Sequence, residues 1–308
     1  MTDIASASSA LPVNPERVPG ASAFEYLNFA NLAAFRDTFR QGVLEQRLLL
    51  DALLELTIAP EVVSACEGLT LPDGEAAYRL SPEPVFAMGQ SMGGMYTNMV
   101  GAVEPRLTAL VPTGAGGFWS WFILETGLLD APPLLGLLLG TDVELTFLHP
   151  VLHLLQTAWE PAEPMVYMPR LSRRPLKGHP ARDVFEPIGL DDSYFPSQLF
   201  DAVALAYGNQ QAGEVIWASL QASLKLGGHE GLVDYPVSAN RTSDGGQLYT
   251  GVVVQYLGDG LYDPHAIFAQ LDAVKHQYGC FFETALTPGG AVVSAPAALG
   301  TPCEKVTP

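Results

Sequence analysis

Two periods of hydrophobic and polar residues run through this chain. From residue 31 to 57, apolar positions recur at helical spacing with no proline and only Gly42 as an interruption, which predicts one long amphipathic helix. "LTLPDGEAAYRL" reads as a turn around Pro72-Asp73-Gly74 followed by a short edge strand. Short apolar runs of strand length follow. "PVFAMG" ends just before Gln90, "LTALVPTGAGG" begins at Leu107, "RDVFEPIGLDD" at Arg182 and "LYTGVVVQYLGDG" at Leu248. Helical patterns cover residues 92 to 103, 196 to 208 and 264 to 285. Strands alternating with helices predict an α/β fold, with four parallel strands covered by helices on both faces.

Residues 118 to 180 break the alternation. They are rich in Leu, Trp, Phe and Pro, and predict a helical lid inserted after the second strand. Such an insertion would sit over the C-terminal ends of the strands, where ligands bind in open α/β sheets. The resulting division is a flexible lead-in over 1–22, a core over 23–117 and 181–288, the lid over 118–180, and a loose Gly-, Pro- and Ala-rich tail over 289–308.

Composition narrows the functional classes. The 308 residues are 48% hydrophobic and 16% charged, enough for a sizeable core and unlike a disordered chain. With 33 acidic against 15 basic residues the formal net charge is −18, a surface that repels nucleic acid and anionic membranes. The most apolar tract, "FWSWFILETGLLDAPPLLGLLLG", is broken by Glu125, Asp130 and Pro132-Pro133 and falls short of a spanning helix. The first twenty residues have neither a basic start nor an apolar core, so they do not read as a signal peptide. Cys66, Cys280 and Cys303 are too few and too scattered for a zinc site. One bridge can form among them, with Cys280–Cys303 favoured because both lie in the C-terminal region; three unpaired thiols is the equal alternative.

The chemistry centres on Gly89-Gln90-Ser91-Met92-Gly93, a G-x-S-x-G pattern between a strand and a helix. In that setting the serine sits on a strained turn and presents a nucleophile, and the residues two positions either side are expected to lack bulk. The amide of Met92, opening the helix, would face a developing oxyanion. A serine nucleophile needs a base, and the base an orienting acid, in the order Ser, Asp or Glu, His. Asp191 and Asp192 stand past the third strand, and His265 past the fourth. The competing readings are a plain helix cap for the aspartates and a surface cap for His265. His229 in "LGGHEG" is the rival base, though it reads better as a turn residue, and His276 reads as part of a solvated helix face. His149 and His153 stand at i and i+4 without the Glu of H-E-x-x-H, so no metal site is expected. Phosphate-binding glycine patterns are missing and no cofactor is called for. Asn240 begins an N-R-T sequon by pattern only. Gln90 and the aromatic residues Phe118, Trp119 and Trp121 are candidates to shape a substrate pocket, with core packing as the alternative for the three aromatics.

"NFANLAAFRDTFRQGVLEQ", "GQSMGG", "EPIGLDDSYFP" and "DPHAIF" together resemble the C-terminal two-thirds of large bacterial α/β-hydrolases of the extracellular lipase/esterase type. The resemblance runs from about Phe29 to Thr284. Arg36-Asp37-Thr38-Phe39-Arg40-Gln41 is similar to the family's R-D-N-x-R-Q helix, and Gly189, Asp192 and Pro196 match its G-x-x-D-x-x-V-P acid segment, which favours Asp192 over Asp191. His265 lies in a segment similar to the family's G-H-F-V-x-F but without the preceding glycine. The resemblance implies an α/β-hydrolase fold, a Ser91-Asp192-His265 triad, and an apolar ester or lipid as the small-molecule substrate, in a protein exported from a bacterial cell. It also implies about eight strands and a His-Gly loop that supplies a second oxyanion donor. Neither that loop nor the first strands precede Ser91, so an N-terminal part is expected to be missing or supplied by a partner chain, and the sheet edge left exposed beside the nucleophile strand invites association, including with a second copy.

Overall fold

The computed structural model describes residues 4–22, 25–28, 31–128, 130–140 and 145–306. The start of the lipase-like stretch at Phe29 and the core boundary at residue 23 lie outside the described residues.

A single parallel sheet organises the chain. Its strands are β1 (Val85–Gln90), β2 (Leu107–Thr113), β3 (Asp183–Gly189), β4 (Gln210–Ala212), β5 (Leu232–Val233) and β6 (Gly251–Tyr256). They lie in the spatial order β1-β2-β3-β6-β4-β5, and every neighbouring pair is parallel. The four expected strands are all present, but the sheet has six. The two additional strands are three and two residues long, too short to show any periodicity, and "QQA" is polar. The side chain of Gln211 is buried because its amide donates to the Glu214 carbonyl and accepts from Gln221.

Alternation along the strands fills two cores. Leu110, Val184, Ile188 and Val253 face one layer of helices, whereas Ala109, Val111, Phe185, Val252 and Val254 face the other. The first layer holds α1 (Leu32–Glu55), α2 (Met92–Val103), α6 (Pro164–Leu171), α7 (Ser197–Tyr207) and α8 (Ser219–Leu226). Asn31 caps α1 through a bond from the Ala34 amide, and Phe35, Phe39 and Gly42 form its buried stripe. The opposite layer is α9 (Ile267–Gln270) and α10 (Asp272–Ala285), with the C-terminal segment folded back over it.

Residues 118–180 form α3 (Trp119–Glu125), α4 (Ala131–Leu139), α5 (Pro150–Trp159) and α6. Much of this segment belongs to the main core: Trp119, Phe122, Leu152, Trp159, Met168 and Leu171 join the same cluster as Phe35 and Phe39. Glu163 makes the connection rigid. Its buried carboxylate accepts from the amides of Phe118 (2.7 Å), Trp119 (3.0 Å) and Met165 (3.1 Å) and from the Gln156 side chain (2.8 Å), capping α3 and α6 together.

Two further expectations are corrected. The tail is not loose: Ala291 to Ser294 are buried, Val293 pairs with Val237, and a Cys280–Cys303 disulfide ties the segment to α10. His276 is buried, not solvated, because the returning tail covers that part of α10; its ring nitrogens lie 3.7 and 3.8 Å from Cys280 Sγ. The lead-in lies along α1, where Arg17 pairs with Glu45 and Ser9 accepts from Gln46. Strand β1 is an edge: only β2 pairs with it among the described residues, and Met88 at its centre is 38% exposed.

Candidate active site

In a parallel sheet all strands deliver their C-terminal ends to one side. The loops leaving β1, β2, β3 and β6 there carry Ser91, Gly114, Asp192 and His265 respectively.

Ser91 occupies the step from β1 into α2 with φ 55° and ψ −119°, a conformation rarely adopted by a residue with a side chain. Its amide donates to the Thr113 carbonyl and its own carbonyl accepts from Met95, so the turn is pinned from both sides. The flanking glycines are not equivalent. A Cβ on Gly89 would lie 2.1 Å from the Gly93 carbonyl oxygen, so bulk is excluded there, whereas a Cβ on Gly93 would meet nothing within 4 Å. Bulk is excluded instead at Gly94, packed against Ala115. The Ser91 hydroxyl does not cap α2. Met92 opens that helix, with its amide among the unpaired donors of the first turn.

Asp192 and Asp191 diverge. Asp191 is exposed with φ 62°. Asp192 is buried; its Oδ1 accepts from the amides of Tyr194 (2.8 Å) and Phe195 (2.9 Å), and its Oδ2 lies 2.8 Å from His265 Nδ1. An ionised carboxylate only accepts, so Nδ1 donates to it, and in the neutral imidazole Nε2 is then the acceptor. His265 is 8% exposed, and Nε2 has no hydrogen-bond partner among the described residues. The structure therefore brings acid and imidazole together and places Ser91 at the same sheet end, without a bond from Nε2 to the serine. Catalytic hydrogen bonds are often open in the absence of substrate.

Some groups around the histidine had no clear signal in the sequence. Tyr194 stacks on the imidazole with ring centroids 4.0 Å apart and planes 7° from parallel, and Phe195 flanks it at 5.4 Å. Asp263 caps the short turn Pro264–Ala266 by accepting from the His265 amide (2.8 Å), and it also takes the Ser193 hydroxyl and amide (3.3 Å). Burial opposes its charge, but the bonds from Ser193 and His265 outweigh burial and hold the carboxyl below its ordinary range. An Asp placed before a proline and two before a histidine is a turn cap that can be read from sequence. The stacking of Tyr194 has no such signal.

Other expectations resolve differently. Gln90 does not present its amide to a pocket; it bonds Thr113 and the His265 carbonyl. Trp119 is 2% exposed, packed edge-on to Phe35, with its indole N–H donating to the Ala162 carbonyl. Phe118 and Trp121 are half-buried, stack on each other and meet Phe147 edge-on. His229 is buried at the opposite end of the sheet, where Arg241 donates to its Nδ1; burial first, then Arg241 and Arg173, push its pKa down. His149 caps α5 by accepting from the Val151 amide, and His153 packs against Phe147. No cluster of three metal-ligating side chains and no helix long and apolar enough to cross a membrane occur among the described residues. The Asn240 side-chain amide is engaged with Gln210 and Gly251.

The parallel sheet, the strand–turn–helix at Ser91, and the chain order Ser91, Asp192, His265 at the C-terminal ends of β1, β3 and β6 make this an α/β-hydrolase fold. No family model matches the sequence. No curated protein sequence matches it either. Among solved structures, acetyl xylan esterase 1 from a Thermoanaerobacterium species aligns with a TM-score of 0.38 and 13% identity, over 71% of this chain and 48% of its own. A 2,6-dihydroxy-pseudo-oxynicotine hydrolase aligns with a TM-score of 0.35 and 18% identity, over 79% and 48%. The Pyrococcus horikoshii acylaminoacyl peptidase aligns with a TM-score of 0.34 and 12% identity, over 72% and 26%. The chain thus spans about half the length of the first two and about a quarter of the third.

Proposed function

We propose that this chain is a serine hydrolase that cleaves carboxylic esters with an apolar acyl group. The observation that carries the reading is the Asp192–His265 bond through Nδ1, which turns Nε2, the acceptor of a neutral imidazole, away from the carboxylate at the sheet end that bears Ser91. In this reading Ser91 Oγ attacks the ester carbonyl while His265 Nε2 takes its proton. The Met92 amide receives the oxyanion, and the imidazolium returns the proton to the leaving alcohol. Water then repeats the sequence on the acyl-enzyme. Asp192 holds the tautomer and stabilises the imidazolium. Support for an apolar substrate comes from Tyr194 and Phe195 around the base, and from the half-buried Phe118, Trp121 and Phe147 group on the segment after β2. The disulfide fits an oxidising compartment.

A second reading, a hydrolase-like binding module without turnover, is favoured by the burial of His265 and the unbonded Nε2. A series of p-nitrophenyl esters from two to twelve carbons separates the two. The hydrolase reading predicts turnover that rises with acyl length and is abolished in Ser91→Ala. Turnover of short esters only would remove the apolar specificity, and none with any ester would favour the module.

A further inference from the structure

Gln90 joins two parts of the site that are remote in sequence. Its Nε2 donates to the main-chain carbonyl of His265, 175 positions away, and its Oε1 accepts from the Thr113 hydroxyl at the end of the neighbouring strand. Thr113 is fully buried, and its hydroxyl also lies 3.3 Å from the Gly89 carbonyl, so the amide is oriented from below. Space is reserved for this bridge. Gly114 has φ +47°, and a Cβ there would lie 2.8 Å from Gln90 Nε2 and 3.2 Å from the His265 carbonyl oxygen. The other end of His265 is held as well, its amide bonded to Asp263, which also grips Ser193 beside Asp192.

We propose that Gln90 is a positioning residue for the hydrolase site: its side-chain amide ties the histidine turn to the strand that carries Ser91 and so sets the approach of the imidazole to the serine. The inference rests on the serine-hydrolase reading. Asp192 fixes the tautomer and one edge of the ring, but it belongs to the loop after β3 and cannot fix the ring relative to β1. Gln90 is adjacent to Ser91 and makes that link directly. A small misplacement of a reacting group costs on the order of 10²-fold in rate, so one side-chain amide can matter this much.

The experiment measures the rate at which a fluorophosphonate labels Ser91 in the full chain, together with kcat and KM on the best ester, in wild type, Gln90→Met and Gln90→Glu. Gln90→Met keeps the length and removes both bonds. The expected result is a roughly 10- to 100-fold loss in labelling rate and kcat with KM changed less than about threefold. Gln90→Glu adds a readout that a packing role would not move. Below about pH 5 its carboxyl gains a proton and can again donate to the His265 carbonyl, so its labelling rate relative to wild type should rise as pH falls. That recovery also keeps the test valid if Gln90→Met folds poorly. A Gln90→Met rate within twofold of wild type, or a Gln90→Glu ratio that stays flat with pH, overturns the proposal while wild-type labelling leaves the hydrolase reading standing. Unlabelled wild type overturns both.

Discussion

Asp192 Oδ2 stands 2.8 Å from His265 Nδ1, 73 positions along the chain, while its other oxygen is held by the amides of Tyr194 and Phe195. The carboxylate is therefore oriented before it meets the imidazole, and its neighbour Asp191 points elsewhere. Asp192→Asn should lower the rate of Ser91 labelling by roughly 10³- to 10⁴-fold, since an amide can hold the wrong tautomer. Asp191→Asn should leave that rate within a fewfold of wild type. Equal losses in the two variants would reverse the assignment of the acid.

Glu163 links helices whose first amides have no other partner in the turn. Glu163→Ala removes two caps and leaves the buried Trp119 amide and the half-buried amides of Phe118 and Met165 unpaired, so it should cost about 3 kcal/mol in a urea or thermal titration. A cost under 1 kcal/mol would mean that water replaces the carboxylate.

Glu104 gives a pH signature. Burial opposes its charge, but Arg106 above all, then Arg47, outweigh it and hold its pKa down at about 2, against an ordinary value of 4.5. A group whose pKa is lowered by folding contributes stability above its unfolded pKa and loses it as pH falls through the folded one. The stability gap between wild type and Glu104→Gln should therefore be full above about pH 4.5 and close as pH falls toward 2. Chemical unfolding followed at several pH values measures it, and a gap that does not narrow contradicts the pairing.

The Cys280–Cys303 bridge closes a short loop over α10. Cys303→Ser should reduce stability by about 3 kcal/mol, the chain-entropy figure for a loop of this size. Hydrogen exchange should show residues 291–294 opening before the sheet. Unchanged protection there would mean that apolar packing alone holds the tail.

Much of this architecture is legible in the sequence because it depends on local signals. β1, β2, β3 and β6 are apolar runs long enough to show themselves, and α1 has a clean stripe at Phe35, Phe39 and Gly42. Ser91 is announced by Gly89, where the backbone of Gly93 leaves no room for a side chain. What stays hidden depends on distant partners. β4 and β5 exist only because β6 and the side chains around Gln211 receive them. Whether Asp191 or Asp192 faces the histidine is decided by one backbone rotation at φ 62°. Trp119 looks like any lid aromatic until Phe35 and Glu163 are placed beside it. The role of Gln90 needs a carbonyl 175 residues away.

The proposed hydrolysis requires Ser91 to be an activated nucleophile. Its most direct test is treatment of the purified chain with a fluorophosphonate probe, followed by peptide mass spectrometry, beside Ser91→Ala. Stoichiometric label on the peptide containing Ser91, lost in Ser91→Ala and suppressed in Asp192→Asn, is the predicted result. A folded chain that takes up no label at Ser91 would contradict the account.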